Sequence, residues 1–275
     1  MICDLISIDV AAVTSAGRKR RINEDTVVNR CPVFMVADGM GGHEAGELAS
    51  AIVAEEMDQL VEAGRFTVND VKLTLTRARE RIGLIESHDA RARAGTTVSG
   101  VVALEQSGEP YWLVVNLGDS RTYRLRDEAL EQLSIDHSEV QELLDAGRIT
   151  QEQARHHPRR NVVTRVLGSG TLEQPDYWLV PVEPHDRLLI CSDGLTTEVT
   201  DADIERILLR PGGPSPAVEA LLEAALSAGG RDNISVIVVD ARLVADAAAG
   251  PTVEEFDHSD QGDDTVPVAQ LRGGL

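Results

Sequence analysis

Apolar residues recur along the chain in two patterns: short continuous or alternating runs, and runs at helical spacing. Runs of the first kind, rich in Val, Ile, Leu and Tyr, are typical of strands. They predict strands at residues 1–13, 33–38, 97–104, 111–117, 121–125, 177–182, 187–191 and 234–239. Short turns near Gly108 and Gly118 connect three of these runs, which predicts an antiparallel meander over residues 97–125.

The second pattern predicts two long helices after the second of these strands. One follows Gly46, and the other follows a capping signal formed by Thr67 and Asp70. Their predicted inward faces are Leu48, Ile52, Val53, Met57, Leu60 and Val61 in the first helix and Val71, Leu75, Ala78, Ile82 and Ile85 in the second. Two further helices are predicted later in the chain, one capped by Thr200 and the other by Ser215.

The order of these elements predicts an α+β fold. Strands, paired helices, more strands, further helices and a last strand favour two antiparallel β-sheets packed as a central sandwich with helices on both sides. We expect one domain over residues 1–243, with a polar surface segment at about 134–170 that interrupts the regular elements. Residues 244–275 have an acidic, low-complexity composition that predicts a disordered tail.

Composition and charge exclude several classes of function. The formal net charge of -20 disfavours nucleic acid and anionic membrane surfaces as partners, because both would repel the chain. No apolar run is long enough for a membrane helix, and residues 1–13 lack the basic start of a signal peptide. The three cysteines lack metal-ligand spacing, which predicts reduced, packed thiols in a cytoplasmic protein. We also expect a monomer.

Aspartates stand at the ends of four strand-like runs. They are Asp38, Asp119, Asp193 and Asp232. Carboxylates gathered at buried strand ends would repel one another strongly unless cations neutralised them. Hard oxygen ligands favour magnesium or manganese, so this pattern predicts a metal site.

Six motifs spread over residues 8–240 identify the family that the chain resembles. They are Arg20-x-x-Asn23-Glu24-Asp25, Val36-Ala37-Asp38-Gly39-Met40-Gly41-Gly42-His43, Ala94-Gly95-Thr96-Thr97, Asn116-Leu117-Gly118-Asp119-Ser120-Arg121, Ser192-Asp193-Gly194 and Arg231-Asp232-Asn233-Ile234-Ser235. In this order they resemble the metal-dependent serine/threonine protein phosphatases of the PPM, or type 2C, family, and especially its bacterial branch. Segment 134–170 also resembles that branch, in which it corresponds to a mobile flap, and it is called the flap segment below.

The resemblance implies a role for each candidate site residue. Asp38 would bridge two Mn2+ or Mg2+ ions, the Gly39 carbonyl would bind one of them, and Asp193 and Asp232 would complete the site. Asp119 would help to hold a weaker third ion. The remaining implied roles are phosphate binding for Arg20, water-mediated contacts to the ions for Glu24 and Asp25, and orientation of Asp232 for Asn233.

The resemblance also implies a mechanism. A hydroxide that bridges the two ions would attack phosphorus directly, and Arg20 would offset the charge on the phosphate oxygens. Many eukaryotic relatives have a histidine general acid where this chain has Met40, so metal-bound water is the expected proton donor. His43 lies nearby in the sequence, although a structural or exposed role is the more common one for such a histidine.

These features predict an enzyme that dephosphorylates phosphoserine and phosphothreonine in proteins, including a bacterial Ser/Thr kinase. The alternative is a non-catalytic phosphoprotein-binding regulator with the same fold, although the chain keeps every expected ligand. A calcium-buffering protein is disfavoured because no Asp-x-Asp-x-Asp-Gly loop occurs. Thr265 stands after two aspartates, and a phosphothreonine-reading domain is a hypothetical partner for it.

Overall fold

The computed structural model describes residues 5–41, 44–64, 66–85, 94–168 and 174–243. The predictions made for Cys3, His43, Thr265 and the tail at 244–275 concern residues outside these ranges.

Within the described residues, eleven strands form two antiparallel sheets. The strands are β1 (Ile6–Ser15), β2 (Asp25–Arg30), β3 (Val33–Met40), β4 (Gly95–Thr96), β5 (Val98–Gln106), β6 (Glu109–Leu117), β7 (Arg121–Arg126), β8 (Ala129–Gln132), β9 (Asp176–Pro181), β10 (Arg187–Cys191) and β11 (Ile234–Leu243). The first sheet has the order β1-β11-β10-β7-β8, and the second has the order β2-β3-β5-β6-β9, with β4 paired to β3.

The two sheets pack face to face because their central strands are apolar on both sides. In β3, Phe34 and Val36 lie in the core between the sheets, where they meet Ile190 and Ile237 of the other sheet. The alternate residue Met35 faces the helices. Successive side chains of a strand point to opposite faces, so burial on both faces requires the continuous apolar runs seen in the sequence. The predicted sandwich is confirmed.

Helices cover both outer faces of the sandwich. They are α1 (Glu44–Ala63), α2 (Val68–Ile82), α3 (Glu139–Asp145), α4 (Gln151–Arg155), α5 (Asp193–Thr196), α6 (Asp201–Leu208) and α7 (Pro214–Ala228). Helices α1 and α2 pack on the β3-containing sheet, whereas α6 and α7 pack on the β11-containing sheet. The capping box predicted for α2 is present, because Thr67 Oγ1 accepts from the Asp70 N–H and Asp70 accepts from the Thr67 N–H.

The meander predicted for residues 97–125 is wrong. Strands β5 and β6 are neighbours, but β7 pairs with β8 and β10 in the other sheet. The connection at 118–120 changes sheet through Gly118, whose φ of +110° lies in the left-handed region that favours glycine. Apolar periodicity does not distinguish such a crossing from a hairpin, because both sheets require the same alternation of side chains.

Smaller differences concern elements and caps. Strands β2, β4 and β8 and helices α4 and α5 were not predicted, because their sequences are short or polar. Leu48 is half exposed although it was placed on the inward face of α1, and Ala45 and Ala49 lie buried there instead. Helix α7 begins at Pro214 after Gly213, so Ser215 is not its cap. Cys31 is exposed, contrary to its predicted packing role, whereas Cys191 is buried as expected.

The sequence contains no apolar run long enough for a membrane helix, and the helices of the structure bear on this prediction. In the described ranges, each helix is too short or too polar to cross a membrane.

Candidate metal centre

The sheet register brings the acidic motifs to one end of the sandwich. Asp25, the first residue of β2, lies opposite Asp38 near the end of β3. Asp119 follows β6, Asp193 follows β10, and Asp232 precedes β11. Because β11 runs antiparallel to β10, the start of β11 and the end of β10 lie at the same edge, and Ser192 N donates to Ser235 O there at 3.0 Å.

Asp38 has a backbone that is fastened on both sides of its peptide unit. Its N–H donates to Thr97 Oγ1 at 3.2 Å, and its carbonyl accepts from Thr97 N and Thr96 Oγ1, both at 2.9 Å. Thr97 Oγ1 also lies 2.7 Å from Ser120 Oγ, beside Asp119. Threonines 96 and 97 belong to a recognised motif, but their role as supports of Asp38 was not predicted. These bonds fix the position of the backbone that carries the Asp38 carboxylate.

Asp193 and Asp232 are brought together by a close backbone approach. A Cβ atom at Gly194 would lie 1.8 Å from the Asn233 carbonyl oxygen, so a side chain at this position cannot be accommodated without a shift. Glycine therefore lets the turn after Asp193 pack directly on the residue after Asp232. Ser192 contributes a further bond, because its Oγ donates to Asp25 Oδ2 at 2.8 Å.

Arg20 and Asn233 connect the loop at residues 16–24 to Asp232. The Arg20 guanidinium donates to Asp232 Oδ2 at 2.7 Å. The backbone N–H of Asn233 donates to Asp232 Oδ1 at 2.8 Å, whereas its side chain bonds the Glu24 N–H and the Ile22 and Ala16 carbonyls. The Asn233 side chain therefore holds the loop, and only its backbone orients the Asp232 carboxylate.

The acidic groups perturb one another strongly. Burial raises the pKa of Asp38 well above its usual range, and the charges of Asp25 and Asp193 raise it further. Burial and the charge of Asp119 do the same to the pKa of Asp193. The pKa of Asp25 is raised to about 6, chiefly by burial, and so is that of Asp119. A site of this kind favours either protons or cations.

The residues present fit divalent cations. Asp25 Oδ1 is buried and has no hydrogen-bond partner among the described residues, which leaves an oxygen lone pair for a ligand. Within those same ranges, no three acidic, histidine or cysteine side chains already stand as a complete set of ligands. The cluster supplies hard oxygen donors and excess negative charge, which suit divalent cations.

Asp119 also marks the contact between the centre and the flap segment. The N–H of the preceding Gly118 donates to His137 Nδ1 at 3.1 Å, and the His137 N–H donates to the Gly118 carbonyl at 2.8 Å. Arg121 donates to both carboxylate oxygens of Asp136 at 2.9 and 3.0 Å. The start of the flap segment is thus anchored next to Asp119.

Comparisons with known proteins agree with this architecture. Residues 15–228 match the family model of protein phosphatase 2C. The chain is 35% identical to the serine/threonine phosphatase stp of Listeria innocua, over 84% of this chain and 95% of that protein. It resembles the crystal structure of the Mycobacterium tuberculosis serine/threonine phosphatase PstP/Ppp with a TM-score of 0.77 and 34% identity, over 85% of this chain and 98% of that one.

A third match bears on the metal. The catalytic domain of the serine/threonine protein phosphatase PstP in complex with two manganese ions has a TM-score of 0.77 and 32% identity to this chain. The match covers 86% of this chain and 99% of that domain. The fold and the acidic centre thus define a metal-dependent phosphatase of the bacterial type. The chain belongs to the protein phosphatase 2C family. The predicted family and enzyme class, a protein-serine/threonine phosphatase, are confirmed.

Proposed function

We propose that this phosphatase hydrolyses phosphoserine and phosphothreonine in proteins by direct attack of an activated water, and that it reverses the action of a Ser/Thr kinase. The observation that supports this proposal is the convergence of Asp25, Asp38, Asp119, Asp193 and Asp232 with Arg20 at one end of the sandwich. Relatives named as serine/threonine phosphatases support the substrate class.

Each residue of the centre has a proposed role. The two Mn2+ or Mg2+ ions would be bound by Asp38, Asp193, Asp232 and the Gly39 carbonyl, and Asp119 would help to bind a weaker third ion. When bound, these ions would supply Lewis acidity that would activate water and offset the charge of the phosphate. Glu24 and Asp25 border the centre, and Thr96, Thr97 and Ser192 keep the carboxylates in position.

The leaving serine or threonine oxygen needs a proton. Met40, at the end of β3, has no group that can donate one. We therefore propose solvent within the centre as the source of that proton, as the sequence predicted.

Arg20 is proposed to bind the phosphate. Its guanidinium is half exposed and already lies 2.7 Å from Asp232, so its remaining N–H groups can meet a phosphate beside the carboxylates. We expect Arg20→Ala to lower kcat/KM on phosphothreonine peptides about 100-fold, because a positioned charge on the phosphate oxygens is lost. Arg20→Lys retains the charge without the planar fork and should recover part of the activity. Steady-state kinetics of both variants test this, and an unchanged kcat/KM for Arg20→Ala would contradict the role.

The function itself is tested by phosphate release. We expect the purified chain to release phosphate from phosphothreonine and phosphoserine peptides with Mn2+, and to lose that activity in EDTA until Mn2+ is restored in excess. A malachite-green assay with a phosphotyrosine peptide as comparison measures this. Peptide binding without phosphate release would instead favour the non-catalytic phosphoprotein binder.

Two proposals concern partners. We propose that the enzyme acts as a monomer, which sedimentation can test. We also propose Thr265, outside the described residues, as a phosphorylated tether for a phosphothreonine-reading domain. A pull-down in which Thr265→Ala captures as much partner as the unsubstituted chain would exclude the tether.

A further inference from the structure

Four consecutive cationic residues lie beside the metal centre, in a chain whose acidic residues outnumber its basic ones by 46 to 26. They are Arg18, Lys19, Arg20 and Arg21, which we call the basic rim. All four are exposed, and Arg20 bonds Asp232 of the centre directly. The rim is therefore a local region of positive charge on a strongly anionic protein.

The other three rim residues lack the partners that a surface cation usually finds. Within the described ranges, Arg18, Lys19 and Arg21 form no side-chain hydrogen bond or ion pair. By contrast, the exposed cations Arg206 and Arg231 pair with carboxylates at 2.6 and 2.9 Å. Charges without protein partners keep their full capacity to interact with a ligand.

The loop that carries the rim is fastened at both ends. On one side, Arg18 N donates to the Gly230 carbonyl at 2.7 Å, and a Cβ at Gly17 would lie 2.1 Å from the Asp232 carbonyl oxygen. On the other side, Asn233 bonds the Ile22 carbonyl at 2.9 Å. The rim side chains thus extend from a backbone arc of fixed position, which reduces the entropy lost when a ligand binds them.

Three of the basic residues in the flap segment already have acidic partners. Arg159 donates to both carboxylate oxygens of Glu139 at 3.0 Å. Arg155 and His156 both lie within 4 Å of Glu152, at 3.9 and 3.7 Å. These pairs offset part of the positive charge at residues 155–160, where Arg160 has no ion pair among the described residues, and none of these side chains bonds an aspartate of the centre as Arg20 does. The basic rim is therefore the stronger candidate for attracting an anionic substrate.

We infer that the basic rim selects phosphorylated segments that carry acidic residues next to the phosphorylated Ser or Thr. This inference rests on the proposed function, because it places the phosphate beside Arg20. An extended peptide advances about 3.3 to 3.6 Å per residue, so positions two and three residues from the phosphate lie about 7 to 11 Å away. Consecutive rim residues, spaced about 3.8 Å apart at Cα and carrying long side chains, span that distance.

The rim is tested with three phosphothreonine peptides that differ only in their flanking residues, which are glutamate, alanine or lysine. The variant R18Q/K19Q/R21Q removes the three unpaired charges and keeps the aliphatic stems and Arg20. The variant R126Q/R210Q/R242Q removes the same charge at exposed positions on the opposite end of the sandwich. Both kcat/KM with Mn2+ and peptide binding by fluorescence anisotropy are measured, and circular dichroism compares the folding of the variants.

We expect the unsubstituted enzyme to prefer the glutamate peptide over the alanine peptide by about tenfold in kcat/KM, since each exposed charge pair contributes roughly two- to fivefold. The preference for the glutamate peptide should shrink in about 0.5 M salt, because salt screens exposed charges. The rim variant should lose the preference for the glutamate peptide because its KM for that peptide rises. Its kcat on the alanine peptide should be unchanged. The distant variant should keep the preference.

Three results would overturn the inference: no preference for glutamate, an unchanged preference in the rim variant, or an equal loss in the distant variant. If no peptide is hydrolysed, the proposed function fails. Fluorescence anisotropy then tests the inference by itself. Equal binding of the glutamate and lysine peptides would contradict the proposed selectivity of the basic rim, and tighter binding of the glutamate peptide would support it.

Discussion

Replacing Asp38 with asparagine is expected to lower kcat on a phosphothreonine peptide by at least about a thousandfold. The substitution removes the negative charge of the carboxylate that is proposed to bind the cations. Asp38 lies opposite Asp25 in the sheet and is perturbed by the charges of Asp193, Asp119 and Asp232. Asparagine keeps the shape of the side chain. The backbone bonds to Thr96 and Thr97 do not involve the altered group and should remain.

The same substitution should have the opposite effect on stability without metal. One mutually repelling carboxylate is removed, so in EDTA the free energy of unfolding of Asp38→Asn should rise by about 1 to 3 kcal/mol. Loss of activity with a gain in stability separates a ligand role from simple misfolding. Kinetics with Mn2+ and urea denaturation in EDTA give the two measurements.

A matched control is available at the opposite end of the sandwich. Asp127→Asn makes the same chemical change at an exposed turn position with a φ of +49°, which asparagine tolerates. It should leave activity and metal binding unchanged. If Asp38→Asn retained its activity and its Mn2+ affinity, the proposed centre would be wrong.

The sequence was informative where the physical cause is local. Apolar runs ending in Asp38 and Asp193 identify strand ends, because burial on both faces of the sheet demands uninterrupted apolar residues. Thr67 and Asp70 lie three residues apart and satisfy one another, so the start of α2 was also predictable. Fold class and candidate ligands therefore followed from short stretches of sequence and from the six motifs.

Contacts between distant residues were not predictable in the same way. The change of sheet between β6 and β7 depends on which partner strand binds β7, and alternation alone does not specify that partner. Asn233 was expected to orient Asp232, and its backbone N–H does bond that carboxylate, but the sequence did not indicate that its side chain bonds residues more than 200 positions away. A single sequence gives the type of each residue, but it does not specify which distant backbone group that residue contacts.

The raised pKa values predict an unusual dependence of stability on pH when metal is absent. Burial raises the pKa of Asp25 and of Asp119 to about 6 in the folded protein, above the ordinary aspartate value of 3.8. Between these pH values the folded state binds more protons than the unfolded state, so the free energy of unfolding falls as pH rises. In EDTA we expect each of the two groups to contribute a loss on the order of 3 kcal/mol between about pH 4 and pH 7.

Urea denaturation across this pH range measures the slope, and the double variant Asp25→Asn/Asp119→Asn supplies the comparison. The variant should be the more stable protein at pH 7 in EDTA and should show a shallower slope, because its neutral side chains bind and release no protons. With saturating Mn2+ the unsubstituted protein should reverse its trend and become more stable toward pH 7, since cation binding requires ionised carboxylates. A stability in EDTA that rises from pH 4 to pH 7 in parallel in both proteins would contradict a cluster held together by protons or cations.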